Sequence, residues 1–539
     1  MTLGESFNLL DEPWIPVLWL NGTPDRVGIR HALTQAGTIR QIAASNPMDN
    51  VALLRLLLAV LQWCKPTSLA DEERQRLESA RGIPDDWLNG RLGTENQPSA
   101  AFDLLGDQAG FYQDHAAKGA MIAVTNLLHD LPSGSTIAHF RHTRDHREGM
   151  CLPCCALGLV RWPAVASAGL AGGGQSMTAS INGNTPAYST PIGADLLASL
   201  LLTWPSGQVV EGDAPVWEGA SEQSPLGILK AMTWRSRRVL LAPPDERGKR
   251  DLSPGRCCQC GECTARLVRS VAFRPGWRRP FEGPYPEDPH LLQITRKTDR
   301  GASEEKIVPS WPRPTYPLED HASVWRSVSE GLLQRSICTE TGATEFHTTL
   351  LGSVQALYKH VAFHKAVLPA LDPDIAQRLL DEMKWLRQVT WITTAARARQ
   401  WREPPKGHRV VETLCPPGAK GHAVRSGLCA LSPTAERDLE EGFGKLMRGL
   451  VAARETGGSV MAQVSADWRD EVRGILRRHV GRVVDATTSG SPLRRLEALR
   501  RTGKVVDEAV DKGAEGPPTS MAVPDPDADG GGKAEHEPD

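Results

Sequence analysis

The chain is 539 residues long, 40% hydrophobic and 23% charged, with a formal net charge of −2, which is too long for one small core, so two or more domains are expected. Ten acidic residues and two lysines lie between Asp507 and Asp539, leaving the first 506 residues with a net charge of +6, a balance that permits nucleic-acid binding without requiring it. The best apolar run, Val51 to Cys64, is broken by Arg55 and is too short to cross a bilayer, so no membrane partner is expected.

In chain order, Trp14–Leu20 reads as a strand, Asn21-Gly22 as a turn and Arg26–Ile29 as the returning strand. Helical periodicity through Ala52–Cys64 reads as a buried helix. Residues 100–330 are irregular, with short strands broken by Gly and Pro, as at Pro312–Pro317. That is the pattern of an α+β domain with long functional loops. Asp372-Pro373 starts a helix with Pro at its first position, and Leu379, Leu380, Met383, Leu386, Val389 and Ile392 continue the helical spacing toward Trp401. Ser432-Pro433 starts a second helix reaching Ala453, and Val460–Ala486 and Pro492–Arg501 supply two more. The fold class expected is α+β. A large mixed N-terminal domain with a structural zinc site covers 1–370, and a C-terminal four-helix bundle covers 371–506. An acidic tail over 507–539 lacks the apolar residues needed to fold.

Eleven cysteines, an odd number, in a chain with no recognisable leader point to a reducing cytoplasm, where clustered thiols bind metal more often than they pair. Cys151-Leu-Pro-Cys154 is one C-x2-C knuckle and Cys257-Cys-Gln-Cys260 another. Two such knuckles about a hundred residues apart can close one tetrahedral Zn2+ site. The expected ligands are Cys151, Cys154, Cys257 and Cys260, with Cys263 in reserve because Cys260-Gly-Glu-Cys263 repeats the spacing. Gly261 suits the tight backbone turn of a knuckle. Four thiolates leave no open coordination position, so the expected role is structural, one ion per chain.

Upstream of the first knuckle, Phe140-Arg141-His142-Thr-Arg144-Asp-His-Arg147 packs three arginines, two histidines and an aromatic into eight residues. Such a loop can set guanidinium groups on phosphates and a ring or imidazole on base edges; the same composition also describes a solvated charged loop. Gly172, Gly173 and Gly174 remove side chains and let backbone approach a groove, or form a plain flexible loop. After the second knuckle Arg266, Arg269, Arg274, Arg278 and Arg279 alternate with Phe273 and Trp277, a mixture suited to phosphate and base contact. Arg473, Arg477, Arg478 and Arg482 share roughly one helical face, which can attract a DNA backbone or simply face solvent. There is no P-loop, nucleophile elbow or H-E-x-x-H motif, and no enzymatic activity is expected. The alternatives are a metal-dependent nuclease built on His139, His142 and His146, or a structural scaffold without DNA contacts.

The opening Phe7-Asn-Leu-Leu-Asp-Glu-Pro-Trp-Ile-Pro-Val17 resembles the start of CasA proteins, the large subunits of the type I-E CRISPR surveillance complex Cascade. The resemblance continues in order through the Cys151 knuckle, the glycine triplet, the Cys257 knuckle and the helical end. It implies a subunit that recognises the protospacer-adjacent motif in double-stranded DNA and helps open the duplex for the guide RNA. It also implies guide-RNA-containing Cascade subunits and a helicase-nuclease as partners. Carried over by position, Phe140 and His142 match the motif-touching loop, with His142 standing where many relatives have Asn. Gly172–Gly174 match the glycine loop, and Arg274 or Arg278 stands in for a basic finger that is often lysine. Gln355-Ala356, within Gly352-Ser-Val-Gln-Ala-Leu357, matches the strand-splitting wedge, although the surrounding residues depart from the usual pattern.

Overall fold

The computed structural model describes residues 6–106, 110–117, 121–128, 149–166, 169–170, 176–178, 180–182, 187–205, 210–243, 250–278, 286, 288–291, 294–297, 304–307, 345–353, 361–369, 371–393, 409–414, 422–487 and 492–512. The chain divides into two compact units, the first formed by Met1–Ile294 with later segments up to Pro373, the second formed mainly by Asp374–Asp539.

The first unit opens as a hairpin, Ile15–Trp19 antiparallel to Pro24–Val27. Gly22 takes a φ of +84° in the turn, as the Asn-Gly pair demands, and a third strand, Ile39–Ile42, adds to the free edge of Ile15–Trp19. The centre is the helix Pro47–Cys64, capped by Asn46, whose side chain accepts a hydrogen bond from the Met48 backbone N–H. Helix Pro47–Cys64 is long and apolar enough to span a membrane, but most of it is buried inside this unit. Its Arg55 is buried too and pairs with Asp288, also buried. A second helix, Leu152–Val165, packs against it. That contact is locked by a bidentate ion pair from Arg161 to Asp49, 2.8 Å at its Nη2 arm, with both side chains buried.

Three small antiparallel sheets frame the second half of the unit. Arg237–Leu241 pairs with Ser270–Pro275, which pairs with Met121–Ala123. Leu252–Arg256 pairs with Cys263–Val268, which pairs with Met150–Cys151. Ala187–Ile192 lies on the long hairpin Glu345–Ser353/Val361–Pro369. The helix Leu152–Val165 falls in the stretch expected to be irregular. Pro153 opens it at a position where proline is tolerated, while Pro163 and Gly158 obscure its period in the sequence.

The second unit is helical: Pro373–Thr393, Arg409–Leu414, His422–Ala453, Gly458–Thr487 and Pro492–Lys512. With the first unit it makes the expected α+β class. Helix His422–Ala453 runs through Ser432-Pro433 instead of starting there; its long packing against Gly458–Thr487 outweighs the hydrogen bond that Pro433 cannot make. The two approach closely at Gly442 and Gly449, where a Cβ would meet Trp468 at 2.7 Å and Val464 at 2.8 Å. The last helix runs to Lys512, beyond the expected end at Arg501 and into the segment expected to be a disordered tail. The reason is an apolar stripe, Val505, Val506, Ala509 and Val510, all buried among the acids.

Candidate metal centre and nucleic-acid interface

The first knuckle forms where a strand becomes a helix. Met150–Cys151 pairs with Leu267–Val268, and Cys151 is then the N-cap of Leu152–Val165, so Cys151 and Cys154 lie at the positive end of the helix dipole, which favours thiolates. The second knuckle is the turn between Leu252–Arg256 and Cys263–Val268. Gly261 has a φ of +76° and donates its N–H to the Cys257 carbonyl at 2.9 Å, the tight turn expected from its place after Cys260.

The four sulfurs of Cys151, Cys154, Cys257 and Cys260 all lie within 4.8 Å of one another. Cys151 and Cys260 are 3.7 Å apart, against about 3.8 Å between sulfurs on a tetrahedral ion with 2.3 Å bonds. Cys151 also donates its backbone N–H to the Cys257 sulfur at 3.3 Å. Hydrogen bonding with Cys151, then with Cys257 and Cys260, pushes the Cys154 thiol well up. Hydrogen bonds from Cys151 and Cys154 pull Cys257 well down, and one from Cys154 pulls Cys260 down to about 6. Four sulfurs this crowded suit a thiophilic cation, whose charge would favour the thiolate form of each, and the donor set fits one. Cys263, the reserve ligand, is exposed on the strand Cys263–Val268 and takes no part in the cluster.

Of the other expected site residues, Phe140, Arg141, His142, Arg144, Gly172–Gly174, Gln355 and Ala356 lie outside the described residues, as do His139 and His146. The strands flanking the glycine triplet, Gly169–Leu170 and Ser176–Met177, pair antiparallel. Just beyond them the carbonyl of Thr178 accepts from the buried Arg237, whose guanidinium also sits 4.8 Å over the Trp162 ring of the knuckle helix. Burial alone pushes Arg237 down to about 9, so it stays cationic at neutral pH. Composition gave no hint of this residue, one arginine among many. Arg274 is half-buried opposite Arg238 in the strand register. Arg278 is exposed, with its backbone N–H 2.7 Å from Glu222 Oε1.

In the second unit Arg473 and Arg477 lie on the helix Gly458–Thr487 but are not bare. Arg477 holds Asp507 through both its Nε, at 2.9 Å, and its Nη2, at 2.5 Å. Arg473 reaches Asp511 at 2.6 Å, Asp470 at 2.9 Å and Asp507 at 3.9 Å. Composition alone puts Asp507 and Asp511 in the tail; their four-residue spacing, matching that of Arg473 and Arg477, is the signal that places them on a helix face.

A family model described as CRISPR-associated protein Cse1 matches residues 8–479. The chain belongs to the Cse1 family. A CasA/Cse1 protein of Thermus thermophilus is 32% identical over 253 residues, 44% of this chain and 49% of the relative, so the aligned stretch spans about half of the relative's length. Among solved structures, CasA of Thermus thermophilus superposes with a TM-score of 0.61 at 21% identity, covering 94% of this chain and all of that one. Cse1 of Thermobifida fusca gives 0.60 at 18% identity, covering 95% and 98%. A chain of a solved CRISPR RNA-guided surveillance complex gives 0.55 at 15%, covering 94% and 99%. At these identities the likeness is one of fold, and it extends the Cse1 architecture across both units.

Proposed function

We propose that this Cse1 family chain is the large, non-enzymatic subunit of a guide-RNA-directed surveillance complex, and that it recognises a short motif in duplex DNA and helps open the duplex beside it. The family match over residues 8–479 carries the reading. In it the loop 140–147 and Gly172–Gly174 read the motif, with Phe140, Arg141, His142 and Arg144 as the contacting side chains. Arg274 or Arg278 supplies a basic finger, and Gln355-Ala356 wedges the strands apart. Minor-groove patterns are degenerate, so such a site accepts several related motifs. Unstacking one base step costs a few kcal/mol, and guide pairing replaces the lost DNA pairing almost evenly. A helicase-nuclease then acts on the opened target.

The four-cysteine cluster holds one structural Zn2+ in this reading, stapling the segment that follows the loop 140–147 to the strand pair Leu252–Arg256/Cys263–Val268. Arg473 and Arg477 meet phosphates without regard to base. The test is a salt titration of the assembled complex on matched and mismatched duplexes. Phe140→Ala or His142→Ala costs about 1–3 kcal/mol on the matched motif only. The double change Arg473→Ala/Arg477→Ala weakens all duplexes alike and flattens the salt slope by up to about two units. Loop variants that weakened every duplex equally would reduce the loop to a phosphate clamp. Failure of the chain to co-purify with guide RNA and other subunits would overturn the whole reading.

A further inference from the structure

The helices Gly458–Thr487 and Pro492–Lys512 enclose a groove of about 470 Å3 lined by Arg477, Gly481, Arg500, Gly503, Lys504 and Asp507, among others. Glycine inside a helix costs about 1 kcal/mol relative to alanine, and close packing explains it elsewhere in this unit, at Gly442 and Gly449. It does not explain the two groove glycines. A Cβ at Gly503 meets nothing within 4 Å, and one at Gly481 meets only Leu499, at an ordinary 3.8 Å. They leave the groove open between three cations.

Asp507, beside this groove, holds Arg477 bidentately, and Asp511, one turn further along, holds Arg473 at 2.6 Å. Around them Arg478, Arg482 and Arg500 are exposed and have no carboxylate partner among the described residues. A two-oxygen acceptor on a guanidinium fork is the geometry a phosphodiester uses. Such pairs at a surface are weak, and Arg477 is 54% exposed in its pair, so a stronger anion can displace the carboxylate.

We infer that Asp507 and Asp511 act as built-in phosphate mimics, occupying Arg473 and Arg477 until a nucleic-acid backbone displaces them. The inference rests on the proposed phosphate contact by those two arginines and adds its regulation. Binding at this face is an exchange of carboxylate for phosphate. A lone phosphate gains little from it, whereas a continuous backbone, which also meets Arg478, Arg482, Arg500 and Lys504, gains from several cations at once.

The experiment measures binding of the full chain to a duplex of random sequence across a salt series, with thermal unfolding of each variant as a folding control. The double change Asp507→Asn/Asp511→Asn tightens binding roughly two- to thirtyfold, the range for releasing two exposed ion pairs, and steepens the salt slope by about one to two units. Gly503→Glu, which adds a carboxylate in open space one turn before Asp507, weakens binding. These opposite signs keep the test informative if either variant folds poorly. If Arg473→Ala/Arg477→Ala weakens binding while neither carboxylate variant changes it, the mimic inference is overturned and the phosphate-contact reading stands. If none of the three changes binding, the phosphate-contact reading of this face fails and takes the inference with it.

Discussion

Two buried arginine–carboxylate pairs in the first unit and the pairs at Asp507 and Asp511 in the second work in opposite ways. In the first, Arg55–Asp288 and Arg161–Asp49 have both partners almost wholly out of water and join segments far apart in sequence. In the second, Arg477 is 54% and Asp511 64% exposed in their pairs. Breaking a buried pair strands a charge in a low-dielectric interior; breaking an exposed one returns both groups to water. The same chemistry is a fixed joint in one place and an exchangeable contact in the other.

The largest effect expected lies outside both classes and sets their scale. Converting Cys154 and Cys257 to Ser removes half of the four-sulfur cluster; under the proposed metal reading the ion's binding is itself folding energy, of order 10 kcal/mol. Metal analysis should fall from one ion per chain to none, with the first unit becoming protease-sensitive; a well-folded wild-type preparation without metal would sink the assignment. Next, Asp288→Ala and Asp49→Ala should each cost about 3–5 kcal/mol, read as a lowered denaturation midpoint. A loss near zero would mean that water reaches those pairs and that the contrast between the units is false.

Truncation sharpens the comparison at the chain end. Stopping after Lys512 should leave stability unchanged and target binding intact or slightly tighter, because the removed stretch is acidic and repels phosphate. Stopping after Val506 should destabilise the second unit by about 2–3 kcal/mol, since Ala509 and Val510 are buried and would no longer cover their neighbours. Equal midpoints for the two truncations would show that the last turn and a half does not pack. The smallest effect is Asp507→Asn, under about 1 kcal/mol of stability, even though the same change should be visible in DNA binding.

What the sequence revealed follows the range of the interactions. The knuckles were legible because C-x2-C is local chemistry, and the opening hairpin because Asn21-Gly22 sets its own turn. Choosing Cys260 over Cys263 required the fold, since both spacings are equal and only the strand starting at Cys263 turns that sulfur away from the cluster. Arg55 was visible only as a break in an apolar run; its partner lies far along the chain, and no periodicity links them. The acids of the last helix hid a buried stripe, because net charge averages over a face that packing distinguishes. The helix after Cys151 is hard to read from the sequence because Gly158 and Pro163 interrupt its period, whereas Pro153 stands at its start, where proline is tolerated.

The separation of the knuckles also governs how the molecule is born. Cys151 and Cys257 are 106 residues apart, so at about 5–20 residues per second the ribosome takes roughly 5–20 s between them. During that interval Cys151 and Cys154 are outside or entering the exit tunnel with no second knuckle to close their site. Asp49 waits a similar span, 112 residues, for Arg161, and Arg55 waits longer still for Asp288. The central helix, made early, is therefore completed by residues made late, and the first unit closes only after the hairpin Glu345–Ser353/Val361–Pro369 has been synthesised to pair with Ala187–Ile192.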